Sequence, residues 1–114
     1  MIGTMNATLK SALTVLGLFA MLALVSAGEA LAQDGKALFS QKGCVACHGA
    51  DGKTTLLPVY PKLAGQNADY LVAQLKDFKS QARKSGQSAL MWGMAAQLSE
   101  AEMKAVAAYL SKVK

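Results

Sequence analysis

The chain has 114 residues, 53% of them hydrophobic, with 12 Lys or Arg against 7 Asp or Glu, a net charge of +5. That length allows one domain. The basic residues are scattered, with no run longer than two, which argues against a nucleic-acid surface and leaves acidic partners or plain solvation as uses for the charge.

Residues 1–32 read as a cleaved secretory signal peptide. A short polar start carries Lys10 and a positive amino terminus, Ala12 to Val25 is an apolar run, and Ala30-Leu31-Ala32 is a small-x-small cleavage site before polar Gln33. The apolar run falls short of the ~20 residues that span a bilayer. Removing this segment takes away Lys10 and Glu29, one of each sign, so the net charge does not change. The expected mature domain is residues 33–114. A core that small is marginal without a staple.

The domain reads as all-α. Asp34 can cap a helix from Gly35 to Gln41 or Lys42, and Gly43 breaks it. Gly49-Ala50-Asp51-Gly52 is a turn cluster, and residues 53–65, with both prolines, read as an ordered loop whose inward apolar groups are Leu56, Leu57, Tyr60 and Leu63. A second helix is predicted from Asn67 or Ala68, with Tyr70, Leu71, Gln74, Leu75 and Phe78 at helical spacing, fading at Ala82 to Lys84 before Gly86. Met91 and Met94 then fall in a stretch between helices. A last helix starts at Ser99, where Ser99 and Glu102 fit a capping box, and its core stripe is Met103, Val106, Ala107 and Leu110.

Between the first turn and the loop stands Cys44-Val45-Ala46-Cys47-His48, which holds both cysteines and the one histidine of the chain. Cys-x-x-Cys-His is the attachment pattern of c-type haem. In a turn of helix, residues three apart share a face, so two thiols can reach the two vinyl groups of one porphyrin edge. The next residue can then offer an imidazole nitrogen to iron. A thioredoxin-like thiol pair would need a strand-rich βαβ context that is missing here. Structural zinc would need four ligands where the chain has three cysteine and histidine residues in all. A buried porphyrin would also be the staple that the small core needs.

With one histidine, a second axial ligand from the same chain cannot be another histidine. Methionine is the natural choice, and it raises the reduction potential. Met103 sits on the core stripe of the last helix. Met91 and Met94 remain, and spacing alone does not choose between them.

Beyond the pentapeptide, Tyr-Pro-Lys-Leu-Ala-Gly-Gln at 60–66, Tyr70, Gln74-Leu75, Phe78, Arg83, Met-x-x-Met at 91–94 and Ala-Ala-Tyr-Leu at 107–110 make the chain resemble the small bacterial class I cytochromes c, including the halves of two-haem periplasmic cytochromes c. The resemblance implies three to four helices and loops wrapped around one covalently bound haem c. It implies Met91 as the axial ligand, a Pro61 carbonyl hydrogen-bonded to His48, and Gly35 and Phe39 crossing Val106 and Tyr109. Cys44, Cys47, His48, Pro61 and Met91 are thus the expected haem-binding residues, with His48 and Met91 on iron. Gln81 stands where many relatives have glycine, so the second helix is expected to run further. Trp92 is expected either to bond a haem propionate through its indole nitrogen or simply to pack at the haem edge.

The function expected from this is periplasmic one-electron transfer, with no catalysis by the protein itself. Its partners would be an oxidase, reductase or dehydrogenase, acidic at the docking surface. A haem-based gas sensor and a haem subunit of an enzyme are the rival expectations.

Overall fold

The structure is a computed structural model that describes residues 33–114; the expected signal peptide lies outside the described residues. Five helices follow one another: α1 (Gly35–Gln41), α2 (Val45–His48), α3 (Ala68–Lys79), α4 (Ser88–Ala96) and α5 (Glu100–Lys112). Among the described residues there is no strand, and no helix is long and apolar enough to cross a membrane.

The caps form where the side chains call for them. The Asp34 carboxylate accepts from the Lys36 and Ala37 amides at 3.0 and 3.3 Å, and the Asn67 side chain accepts from the Tyr70 amide at 3.0 Å. Ser99 and Glu102 close a reciprocal capping box at the start of α5. Glu102 also pairs with Lys42 at 3.3 Å. Its carboxyl is held below the usual carboxylate range, first by the Ser99 backbone and then by Lys42. Glu100 is lowered likewise by Lys76 and Lys104, on an exposed surface where such pairs add little to stability.

The core forms where α1 and α3 pack on α5, and it unites Phe39, Leu71, Val106, Ala107 and Leu110. Phe39 is fully buried, and its ring centroid lies 6.0 Å from that of Tyr109. The crossing is the one the resemblance implied, and Gly35 makes it possible. A Cβ at Gly35 would stand 2.0 Å from the Ala105 carbonyl oxygen and 2.9 Å from the Tyr109 Cβ. Met103 is core, as expected.

Two elements differ from expectation. First, α3 ends at Lys79, several residues early. Gln81 takes a left-handed conformation with φ of 60°. Its amide returns to the Phe78 carbonyl and the Ala82 amide to the Asp77 carbonyl, at 3.0 and 2.9 Å, the pairing of a Schellman turn. No glycine marks this stop, so a residue-by-residue reading runs through it. A left-handed non-glycine residue costs about 1–2 kcal/mol. Gln81→Gly should therefore stabilise the protein by about 1 kcal/mol and raise Tm by ~4–8 °C in a thermal melt; a variant melting no higher than its parent would show that the turn is unstrained.

Second, residues 88–96, expected as a connector holding Met91 and Met94, form helix α4. The segment Ser-Ala-Leu-Met-Trp-Gly-Met-Ala-Ala is apolar on all sides and so shows no period. It has no capping side chain at Gln87 and carries a glycine inside. Its neighbours hold it instead. The Lys42 ammonium donates to the Gln97 carbonyl at 3.4 Å, and that of Lys79 to the Leu98 carbonyl at 2.5 Å.

The segment 53–65 is a loop, as read from its prolines. It is tied at one end by the Leu56 amide to the Cys47 carbonyl (2.9 Å) and at the other by the Gly65 amide to the Leu110 carbonyl (2.9 Å). Leu63 packs on the core and Tyr60 is half-buried. Leu56 and Leu57, expected inward, are 66% and 47% exposed on the polypeptide.

Candidate cofactor site

Helix α2 is a single turn, and its purpose is local. The Cys44 carbonyl accepts from the Cys47 amide at 3.4 Å and from the His48 amide at 3.0 Å. That closes the pentapeptide into a helical turn with the two thiols on one side. Both cysteines are free and half-buried. Burial pushes the Cys44 thiol up, partly offset by a backbone hydrogen bond.

Gly49 ends the turn. Its φ is 85°, and a Cβ there would stand 2.1 Å from the Thr54 carbonyl oxygen. Only glycine lets the chain fold back this tightly directly behind His48. The return brings the loop across the site.

His48 is 6% exposed, and its Nδ1 lies 2.8 Å from the Pro61 carbonyl oxygen. A carbonyl can only accept, so Nδ1 carries the proton and donates. This leaves Nε2 as a bare nitrogen that can ligate a metal, with the ring orientation fixed by the carbonyl. The Tyr60 ring stands 6.5 Å from the imidazole at a tilt of 54°.

The two methionines sit three residues apart on α4, both half-buried. Met91 contacts His48. Met94 lies beside the start of the pentapeptide. The Gln97 amide nitrogen is 3.9 Å from its sulfur, and its methyl group lies 3.6 Å from where a Cβ of Gly43 would be. Cys44, Cys47, His48, Pro61 and Met91 are thus brought together, and Met94 is turned toward Gly43.

The surroundings suit a flat apolar group. Leu56, Leu57 and Val59 of the loop and Leu90, next to Met91, are all 47–66% exposed. Leu56 is tied to the Cys47 carbonyl and Leu90 adjoins Met91, so these exposed aliphatic side chains fall on segments that frame the site.

Trp92 decides between its two expected roles. Its indole N–H donates to the Arg83 carbonyl at 2.9 Å. Indole has a single donor, so a propionate bond through it is not made. The Arg83 guanidinium in turn bonds Gln74 at 2.7 Å and lies 4.7 Å over the Phe78 ring. Reading the sequence missed this cluster, and no signal would have found it, because the link to α4 runs through a backbone carbonyl.

The family model of cytochrome c matches residues 32–114. The chain belongs to the cytochrome c family. Among curated cytochromes, it is similar to cytochrome c-554(548) of Halomonas halodenitrificans, 48% identical over 68 residues that make up 60% of this chain and 81% of that one. It is 41% identical to cytochrome c-553 of Nitratidesulfovibrio vulgaris over 105 residues, 92% of this chain and 100% of that one. Among solved structures, reduced recombinant cytochrome c4 from Pseudomonas stutzeri superimposes with a TM-score of 0.62 at 34% identity, over 75% of this chain. This cytochrome c spans 50% of that c4 chain. As a cytochrome c it binds a covalently attached haem c, for which Cys44 and Cys47 have the required spacing, and it transfers electrons with redox partners.

Proposed function

We propose that this cytochrome c is an exported, periplasmic one-electron carrier that catalyses no reaction of its own, with iron held between His48 Nε2 and the thioether of Met91. The observation that carries the reading is the His48–Pro61 bond, which leaves Nε2 free to ligate, beside the contact between His48 and Met91. The haem, when bound, supplies the one-electron exchange; the chain orients, encloses and tunes. Pro61 fixes the imidazole and strengthens it as a ligand. A thioether opposite it favours the reduced state and so raises the potential. With His48 and Met91 both holding iron, no site would remain for a substrate or gas, which separates this reading from a haem-based sensor.

Comparing Met91→Ala with Met94→Ala tests the ligand. Met91→Ala should abolish the weak red iron–sulfur charge-transfer band, lower the midpoint potential and let carbon monoxide bind the reduced protein. Met94→Ala should keep all three properties of the parent. Loss of the band in Met94→Ala alone would reverse the assignment. The same protein, taken from the periplasmic fraction, should begin at Gln33 by mass spectrometry; an intact residue 1–32 segment would contradict cleavage.

The docking surface is proposed at the edge beside Cys44 and Cys47; the loop tied there through Leu56 has exposed Lys53 and Lys62 on either side of its aliphatic stretch in the sequence. An acidic partner fits that surface. Electron-transfer rates to such a partner should fall severalfold between 10 mM and 0.15 M salt, as the screening length shrinks from about 30 to about 8 Å. A rate indifferent to salt would count against steering by these lysines.

A further inference from the structure

Helix α4 carries Met91 and has little reason to be a helix by itself. It has nine residues, no capping side chain and an internal glycine. Isolated helices shorter than about 12–15 residues are marginal in water, and a glycine inside weakens them further. Its local opening is therefore governed by what neighbouring elements hold.

Besides its packing on α3 and the bond of the buried Ser88 hydroxyl to the Ser85 carbonyl, three longer-range hydrogen bonds anchor it. Lys42 and Lys79 bind the carbonyls of Gln97 and Leu98, beyond the far end of the helix. The third is the Trp92–Arg83 bond at 2.9 Å, and it alone adjoins Met91. Arg83 is itself immobilised on α3. Its guanidinium bonds Gln74 at 2.7 Å, stacks 4.7 Å over Phe78, and its amide returns to the Asp77 carbonyl at 3.3 Å. A continuous connection thus runs from the face of α3 through Arg83 and Trp92 to the residue beside the sulfur.

We propose that Arg83 is a positioning residue: clamped on α3, it holds Trp92 and so sets how firmly the Met91 thioether stays on iron. The inference rests on the reading of Met91 as ligand. It assigns to Arg83 the control of ligand exchange, and so of how closed the iron is to outside molecules.

The test is imidazole titration of the oxidised holoprotein, well below its melting temperature, in Arg83→Leu, Trp92→Phe and the double variant. A lost hydrogen bond of this kind is worth about tenfold in a local equilibrium. Each single variant should bind imidazole about tenfold more tightly than the parent. The double variant should gain little more, since Arg83→Leu frees from α3 the carbonyl that Trp92 bonds and Trp92→Phe removes that bond, two links of one connection. Arg83→Lys, which keeps a cation over Phe78, should fall between. Val106→Ala, in the α1–α5 core, serves as a control that lowers stability without touching the clamp, and its imidazole affinity should match the parent's. Single variants that bind imidazole no better than the parent, or a Val106→Ala control that shifts as far as they do, would overturn the clamp while leaving Met91 as ligand. A parent whose charge-transfer band survives Met91→Ala would overturn the ligand reading and the clamp together.

Discussion

Replacing both Cys44 and Cys47 with alanine should yield a chain that fails to reach native helicity. The polypeptide core is small, five residues in its main cluster, and a domain near 80 residues is marginal without a staple. Around the site, Leu56, Leu57, Val59 and Leu90 remain largely exposed on the polypeptide. Fully burying an exposed side chain of this kind is worth about 1.5–3 kcal/mol. These four are already about half covered, so completing their burial is worth about 3–6 kcal/mol in all, at the low end of the 5–15 kcal/mol that holds a domain of ordinary stability. Losing the covalent attachment therefore removes a contribution comparable with the net stability of so small a domain. Circular dichroism at 222 nm of the purified double variant should show most of the helical signal gone and no cooperative melt. A variant with full helicity and a sharp thermal transition would show that the polypeptide core suffices, and the haem would then be cargo rather than scaffold.

Gly35→Ala should be the most damaging single substitution far from the haem. The added methyl would sit 2.0 Å from a backbone oxygen of α5, and a backbone atom cannot swing aside as a side-chain end can. The two helices would have to part by more than ~1 Å at the crossing, loosening Phe39 against Tyr109 and Val106. Overpacking of this kind costs about 1–3 kcal/mol and occasionally more. For a domain of this size, a loss near 3 kcal/mol lowers Tm by roughly 12–24 °C. The haem spectrum at room temperature should be unchanged, because the crossing lies away from the ligands. A melting temperature within about 2 °C of the parent would show that α1 can slide along α5 at little cost.

The legible parts of the molecule are those whose chemistry is local. Asp34, Asn67 and the Ser99–Glu102 pair announce helix starts because each satisfies amides within three residues of itself. The pentapeptide turn, the loop with its two prolines and the α1–α5 crossing could likewise be named in advance, the crossing by family resemblance. What escaped was decided by distant partners. Helix α4 depends on bonds to backbone carbonyls that no side-chain pattern advertises: Lys42 and Lys79 reach those of Gln97 and Leu98, and Trp92 reaches that of Arg83. The early end of α3 escaped because glutamine stands at a position that usually signals itself with glycine. Leu56 and Leu57 were read as inward because apolar residues in a loop imply something to cover, and on the polypeptide alone they remain exposed.

The single tryptophan, pinned to Arg83 and adjacent to Met91, also makes this cytochrome report on itself. Tetrapyrroles absorb where indoles emit, so a residue so close to the site should be nearly dark in the intact protein. The haem stays attached to the chain, so Trp92 should brighten only when unfolding carries it well beyond the dimensions of the folded domain. Emission intensity followed through a melt would then report the collapse of the whole.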